Sequence, residues 1–203
     1  MKGSLIVIEG IDGAGGETQT RLLVEFLKSN GKNVSAISYP EYSGGIGNLI
    51  SDFLHKKYDF AADVQFALYA ADMVKDRQKI SDFISNGGIV IANRYLTSTL
   101  TYQTIKGFEI EKGLKFAEIF ELPVPDMVIF VDIDADTSMR RKMGEKNNLD
   151  RHESDRQLLE SVRARYLELA DRNIFAKEWK VIDGTKSIEE VAKEIQQIVS
   201  KLI

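Results

Sequence analysis

Short apolar runs alternate with stretches of helical periodicity along the whole chain. Leu5-Ile6-Val7-Ile8, Ile89-Val90-Ile91-Ala92 and Met127-Val128-Ile129-Phe130-Val131 are continuous and rich in β-branched residues. They read as strands buried on both faces. Asn33 to Ser38 and Val181-Ile182 read as two further strands. Between them, Leu22, Leu23, Phe26 and Leu27 recur at helical spacing, and Gly31 follows where a helix C-terminus favours glycine. Ile46 to Leu54 predicts a short second helix. Val64 to Ile84 predicts one long helical stretch, closed by Asn86-Gly87-Gly88. Leu114 to Phe120, Ala135 to Met143, Asp155 to Phe175 and Ile188 to Leu202 complete the helices. Strands that alternate with helices imply βαβ crossovers and a parallel sheet covered on both faces. Gly144 to Ser154 is polar and irregular, and reads either as a solvated loop or as a lid over a site.

Composition narrows the function class. The chain has 203 residues, enough for one domain with a sizeable core. It is 43% hydrophobic and 29% charged, as expected of a soluble globular protein. A net charge of −4 and a pI near 5.4 argue against a nucleic-acid or anionic-membrane binder. With no Cys, disulfides, thiolate catalysis and Cys-based metal sites are excluded. The N-terminal apolar run ends at Glu9, too early for a signal peptide, and no apolar run approaches the ~18 residues needed to span a bilayer. A cytoplasmic protein is expected.

Glu9-Gly10-Ile11-Asp12-Gly13-Ala14-Gly15-Gly16-Glu17-Thr18-Gln19 follows a strand and opens a helix. In that setting backbone N–H groups wrap phosphate oxygens, and the helix N-terminus adds favourable partial charge. The full signature is G-x-x-x-x-G-K-[ST]. Here Gly10 and Gly15 keep the frame, but Gly16 stands at the Lys position and Glu17 at the Ser/Thr position. From the loop alone, a phosphate cradle and a ligand-free tight turn are comparable readings.

Several stretches, in order and with matching gaps, resemble the thymidylate kinase family over almost the whole chain. They are Glu9-Gly10 through Gly15 with Thr18-Gln19, and Tyr39-Pro40-Glu41 followed by Gly45-x-Gly47. Next come Ile89 through Asn93-Arg94-Tyr95 with Ser98 and Tyr102-Gln103. Phe130 to Asp134, Arg141, Asp150-Arg151-His152-Glu153 and Arg163-x-Arg165-Tyr166 follow, and Val181-Ile182-Asp183-Gly184 comes last. The resemblance implies a three-layer P-loop fold, with a five-stranded parallel sheet, helices on both faces and a short lid over about residues 144–154. It also implies phosphoryl transfer from ATP with Mg²⁺ to thymidine 5′-monophosphate (dTMP), and a homodimer.

The resemblance also assigns roles. ATP would lie on Gly10, Ile11, Asp12, Gly13, Ala14, Gly15, Gly16, Glu17 and Thr18, with Arg141 on the adenine face. Arg94 would hold the acceptor phosphate, and Asp12 would face the acceptor sugar or the metal. Tyr69 would stack on the base, while Pro40, Tyr102 and Gln103 would line the acceptor pocket. Arg151 would be the lid arginine that meets the transferring phosphate, so Arg94, Arg151 and Asp12 are the catalytic candidates. Glu17 and Asn93 are the candidate metal ligands. Asp150 and Glu153 either approach a metal or cap the following helix, and Asp132 and Asp134 read as strand-end and cap residues.

Four positions depart from the family pattern: Gly16, Glu17, Asn93 in place of Asp, and Met73 where many members carry Arg. On a continuous helix, Arg77 falls one turn beyond Met73 and would supply that guanidinium. Glu17 would ligate Mg²⁺ as a carboxylate. Lys2, Arg140 and Lys142 are the conceivable stand-ins for the loop Lys, and nothing in the sequence places them there. Three readings stay open from sequence: a dTMP kinase with a rewired phosphate site, a nucleotide-binding relative with little activity, and a kinase for another monophosphate.

Overall fold

The computed structural model describes residues 3–145 and 155–203. Five strands are joined by helical crossovers: β1 (Ser4–Glu9), β2 (Val34–Ser38), β3 (Ile89–Asn93), β4 (Met127–Asp132) and β5 (Trp179–Asp183). They form one sheet in the order β2-β3-β1-β4-β5, every pairing parallel. Register is set by the central strand: Val7 faces Ala92 of β3 on one side and Val128 of β4 on the other. Leu5, Ile6, Val7 and Ile8 have no exposed surface. Each such side chain contributes roughly 1.5–3 kcal/mol by its burial. The edge strands β2 and β5 instead mix buried and exposed positions, and Val181 points outward.

The helices are α1 (Gly16–Ser29), α2 (Gly45–Leu54), α3 (Ala62–Val74), α4 (Arg77–Ser85) and α5 (Leu96–Ile105), then α6 (Ile110–Ile119), α7 (Ala135–Glu145), α8 (Arg156–Asp171) and α9 (Ile188–Ser200). They flank both faces of the sheet, the expected three-layer α/β fold. The Ser187–Glu190 capping box starts α9, and Gln19 Nε2 of α1 donates to Ile188 O at 3.1 Å.

Two helical segments differ from expectation. The single stretch expected over Val64 to Ile84 is broken at Lys75-Asp76 into α3 and α4. Asp76 N bonds to Met73 O at 3.1 Å, the tighter closure that ends many helices. A polar cluster holds the break. Lys75 Nζ lies 2.9 Å from Asp72 Oδ1 and 2.7 Å from Asp76 Oδ2, and Tyr39 OH donates to the same Asp76 oxygen at 3.1 Å. The second segment, α5, has little apolar periodicity and several β-branched threonines. It is helical because its N-terminus is capped from outside and nearly all of it is buried. The cap is Glu9, which leaves β1 with no exposed surface. Its Oε1 accepts from Tyr95 N and Ser98 N, both at 3.1 Å, and from Thr97 Oγ1 at 2.5 Å. Its Oε2 accepts from Ser98 Oγ at 2.5 Å and Tyr166 OH at 2.8 Å. A carboxylate at a helix N-terminus satisfies orphan N–H groups and favours the helix dipole.

Candidate functional site

The glycine loop, the Asn93-Arg94 turn and the start of α7 meet at the carboxyl ends of β1, β3 and β4. Ligands of open α/β sheets bind at that end. Gly13 has φ 79° and Gly15 φ 88°, left-handed values that glycine adopts without strain. Gly15 is also the N-cap of α1. The loop is backed by α7. Ser138 Oγ donates to Asp12 O at 2.5 Å, and Arg141 donates to Gly13 O at 3.2 Å and Gly184 O at 2.9 Å. A Cβ on Gly13 would meet Ser138 O at 2.9 Å, so α7 touches the loop backbone.

Residues Gly10 to Thr18 line one cavity, together with Asn93, Arg94 and Lys142. A second cavity of about 630 Å³, including its open mouth, lies under α3. Tyr69 and Met73 wall one side of it, and Tyr102 and Gln103 of α5 wall the other, with Pro40 at the rim. Its mixed polar and apolar lining suits a small organic ligand. Gln103 Oε1 is buried and finds no hydrogen-bond partner among the described residues.

Asp12 and Arg94 line both cavities, so this pair stands where they join. Arg94 Nη2 lies 2.6 Å from Asp12 Oδ1, Nη1 donates to Ser98 Oγ at 3.4 Å, and the guanidinium sits 5.8 Å from the Tyr102 ring centre. Tyr102 OH reaches Asp12 Oδ2 at 3.5 Å. Arg94 has φ 64°, a left-handed backbone that costs a non-glycine residue of order 1–3 kcal/mol. That conformation is imposed on both sides. Arg94 N bonds to Ile8 O at 2.9 Å, and the next residue is fixed by the Glu9 cap. Burial opposes the Arg94 charge, but the facing Asp12 carboxylate holds its pKa well above the usual value. Burial first, then the same Asp12, pushes the Tyr102 hydroxyl up, which keeps it a neutral donor.

Asn93 is oriented by its own hydrogen bond. Nδ2 donates to Ser38 Oγ at 3.0 Å, which turns Oδ1 toward the loop. A Cβ built on Gly16 would lie 2.7 Å from that oxygen. Glu17 lines the same cavity. Among the described residues no cluster of three or more His, Asp or Glu forms a metal cage. A nucleotide-bound Mg²⁺ does not require one, because phosphates and waters supply most of its ligands and the protein adds one or two. The Glu17 carboxylate and Asn93 Oδ1 fit that need.

The structure therefore brings together Asp12, Pro40, Tyr69, Arg94, Tyr102 and Gln103 around one cavity, and Gly10 to Thr18 with Asn93 around the other. Arg77 lies away from both. The break at Lys75-Asp76 removes the i,i+4 relation to Met73, and the Arg77 guanidinium donates instead to Val74 O at 3.2 Å. It lines neither cavity. Asp132 is engaged by Arg163 at 2.6 and 2.8 Å, and Asp134 caps α7 through Thr137 N at 2.6 Å. Asp150, Arg151 and Glu153 lie outside the described residues. Sequence reasoning gave Glu9 no role beyond its place in the motif, and it named Lys142, beside Lys2 and Arg140, as a stand-in for the loop lysine with nothing in the sequence to place any of the three. The placement of Glu9 and Lys142 depends on contacts between distant segments, although an acidic residue ending a buried strand is a signal for Glu9.

Comparison with known proteins agrees with this geometry. The family model described as thymidylate kinase matches residues 8–195. A thymidylate kinase of Thermoanaerobacter sp. (strain X514) is 33% identical over 210 residues, covering 100% of both chains. The human thymidylate kinase is 32% identical, covering 96% of this chain and 89% of that one. The solved structure of thymidylate kinase from Candida albicans superposes with a TM-score of 0.78 at 25% identity, covering 98% of this chain and 92% of the other. With that match across the glycine loop, the Arg94 turn and the final helix, this chain belongs to the thymidylate kinase family.

Proposed function

We propose that this protein transfers the γ-phosphoryl group of ATP to dTMP, forming dTDP and ADP. The observation that carries the reading is the Asp12–Arg94 pair at the junction of the glycine-loop cavity and the pocket under α3. ATP phosphates lie on the loop N–H groups, and Arg141 flanks the nucleotide beside Gly184. The dTMP base enters between Tyr69 and Gln103, and its phosphate reaches the Arg94 guanidinium. An oxygen of the dTMP phosphate attacks Pγ. The bond from Pγ to the bridging oxygen breaks, and its electron pair leaves with ADP. Such a reaction needs alignment and positive charge more than covalent help. Arg94 supplies both, since its strained backbone and the Asp12 contact fix its direction before substrate arrives. Tyr102, kept neutral, orients Asp12. Glu17 and Asn93 would hold Mg²⁺, which when bound would supply neutralisation of phosphate charge. Arg151 adds the lid cation, and the chain works as one 203-residue kinase unit, a cytoplasmic homodimer, as the resemblance implies.

A substrate panel tests this reading. With ATP and Mg²⁺, the protein is expected to phosphorylate dTMP in preference to dUMP, CMP and UMP. Turnover of another monophosphate with none of dTMP would overturn it.

A further inference from the structure

Gly16 occupies the position at which a loop of this kind carries its lysine. The structure obstructs a side chain there, because a Cβ would lie 2.7 Å from Asn93 Oδ1 and Asn93 is tethered to Ser38. Arg94, a cation on the cavity wall, is engaged by Asp12 at 2.6 Å. Asp12 and Glu17 bring two carboxylates to the same wall. Phosphates entering this cavity need a further positive charge.

Lys142 lines that cavity with Gly10 to Thr18, and it also lines the adjoining one that holds Asp76 and Lys79. Its place follows from how α7 is docked. Ser138 and Arg141 bond to the carbonyl oxygens of Asp12 and Gly13, which fixes two successive turns of α7 against the loop. Residue 142 is i+4 from Ser138, so it lies on the same helix face one turn further on. A lysine suits the task, being a compact charge on a flexible stem that can follow a phosphate.

We propose that the Lys142 ammonium replaces the missing loop lysine, binding the β- and γ-phosphate oxygens of the donor nucleotide and countering charge on the bridging oxygen as its bond to Pγ breaks. This assignment rests on the kinase reading above. The test uses the full-length protein and two variants: Lys142→Met, which keeps the stem and removes the charge, and Lys142→Arg, which keeps the charge. ATP with Mg²⁺ is titrated by calorimetry without dTMP, dTMP is titrated separately, and kcat is measured. Lys142→Met is expected to weaken ATP binding by at least about tenfold and to lower kcat by about 10²-fold, with dTMP affinity unchanged. Lys142→Arg recovers most of both. ATP affinity and kcat within about twofold of the parent in Lys142→Met would overturn the role. If the parent makes no dTDP, the kinase reading falls, and the ATP titration still decides Lys142. A parent that binds no ATP overturns both.

Discussion

Placing a single methyl group on Gly16 tests the tight packing between the glycine loop and Asn93. Gly16 opens α1 with an ordinary backbone, so Ala fits its conformation. Gly→Ala at a compatible site normally stabilises by about 0.4–1 kcal/mol by restricting the unfolded chain. Here the new Cβ would sit 2.7 Å from Asn93 Oδ1, about 0.7 Å inside ordinary contact. Asn93 is the movable partner, but moving it breaks the 3.0 Å bond from Nδ2 to Ser38 Oγ. That loss costs about 0.5–1.5 kcal/mol, which cancels or exceeds the entropic gain. Gly16→Ala alone should therefore be neutral or destabilising. In an Asn93→Ala background, the same change should stabilise by about 0.4–1 kcal/mol. Urea unfolding of the four proteins gives a coupling expected near 1 kcal/mol. Equal effects of Gly16→Ala in both backgrounds, within about 0.3 kcal/mol, would refute the packing argument.

Glu9→Gln keeps the shape but removes the charged acceptor of five hydrogen bonds. Chemical denaturation should show a loss of about 3–5 kcal/mol and faster amide exchange at Ser98, and a loss under about 1 kcal/mol would count against the cap. Burial is the largest influence that raises the hydroxyl pKa of Tyr39, Tyr95, Tyr102 and Tyr166. The folded state then keeps protons that the unfolded state releases above pH ~10, so stability is full below that pH and falls as pH rises beyond it. Urea midpoints that stay flat from neutrality to pH ~11 would contradict this sign.

The central strands were legible because β1, β3 and β4 are buried on both faces and leave unbroken apolar runs. The helices α1 and α9 were legible because each buries one stripe. By contrast, α5 carries no such stripe, and its cap comes from a residue 86 positions before Tyr95. The break between α3 and α4 was hidden for the same reason, since Tyr39 helps to hold it from another segment. The expectation that Arg77 stands in for an arginine at Met73 assumed the i,i+4 relation of an unbroken helix, whereas Arg77 follows the break and opens α4. Asp12, Arg94 and Tyr102 were singled out through motif resemblance. Nothing local in the chain announced that the guanidinium and carboxylate meet at 2.6 Å, or that Lys142 reaches the glycine loop.

The most direct test of the central claim is the product balance of the purified protein incubated with ATP, Mg²⁺ and dTMP, run beside Arg94→Ala. The geometry predicts equal amounts of dTDP and ADP from the parent, and a rate lower by about 10²–10³-fold in Arg94→Ala, since one charged group that stabilises the transferring phosphate is lost. No dTDP from the parent, or an Arg94→Ala rate equal to it, would contradict a kinase site built on the Asp12–Arg94 pair.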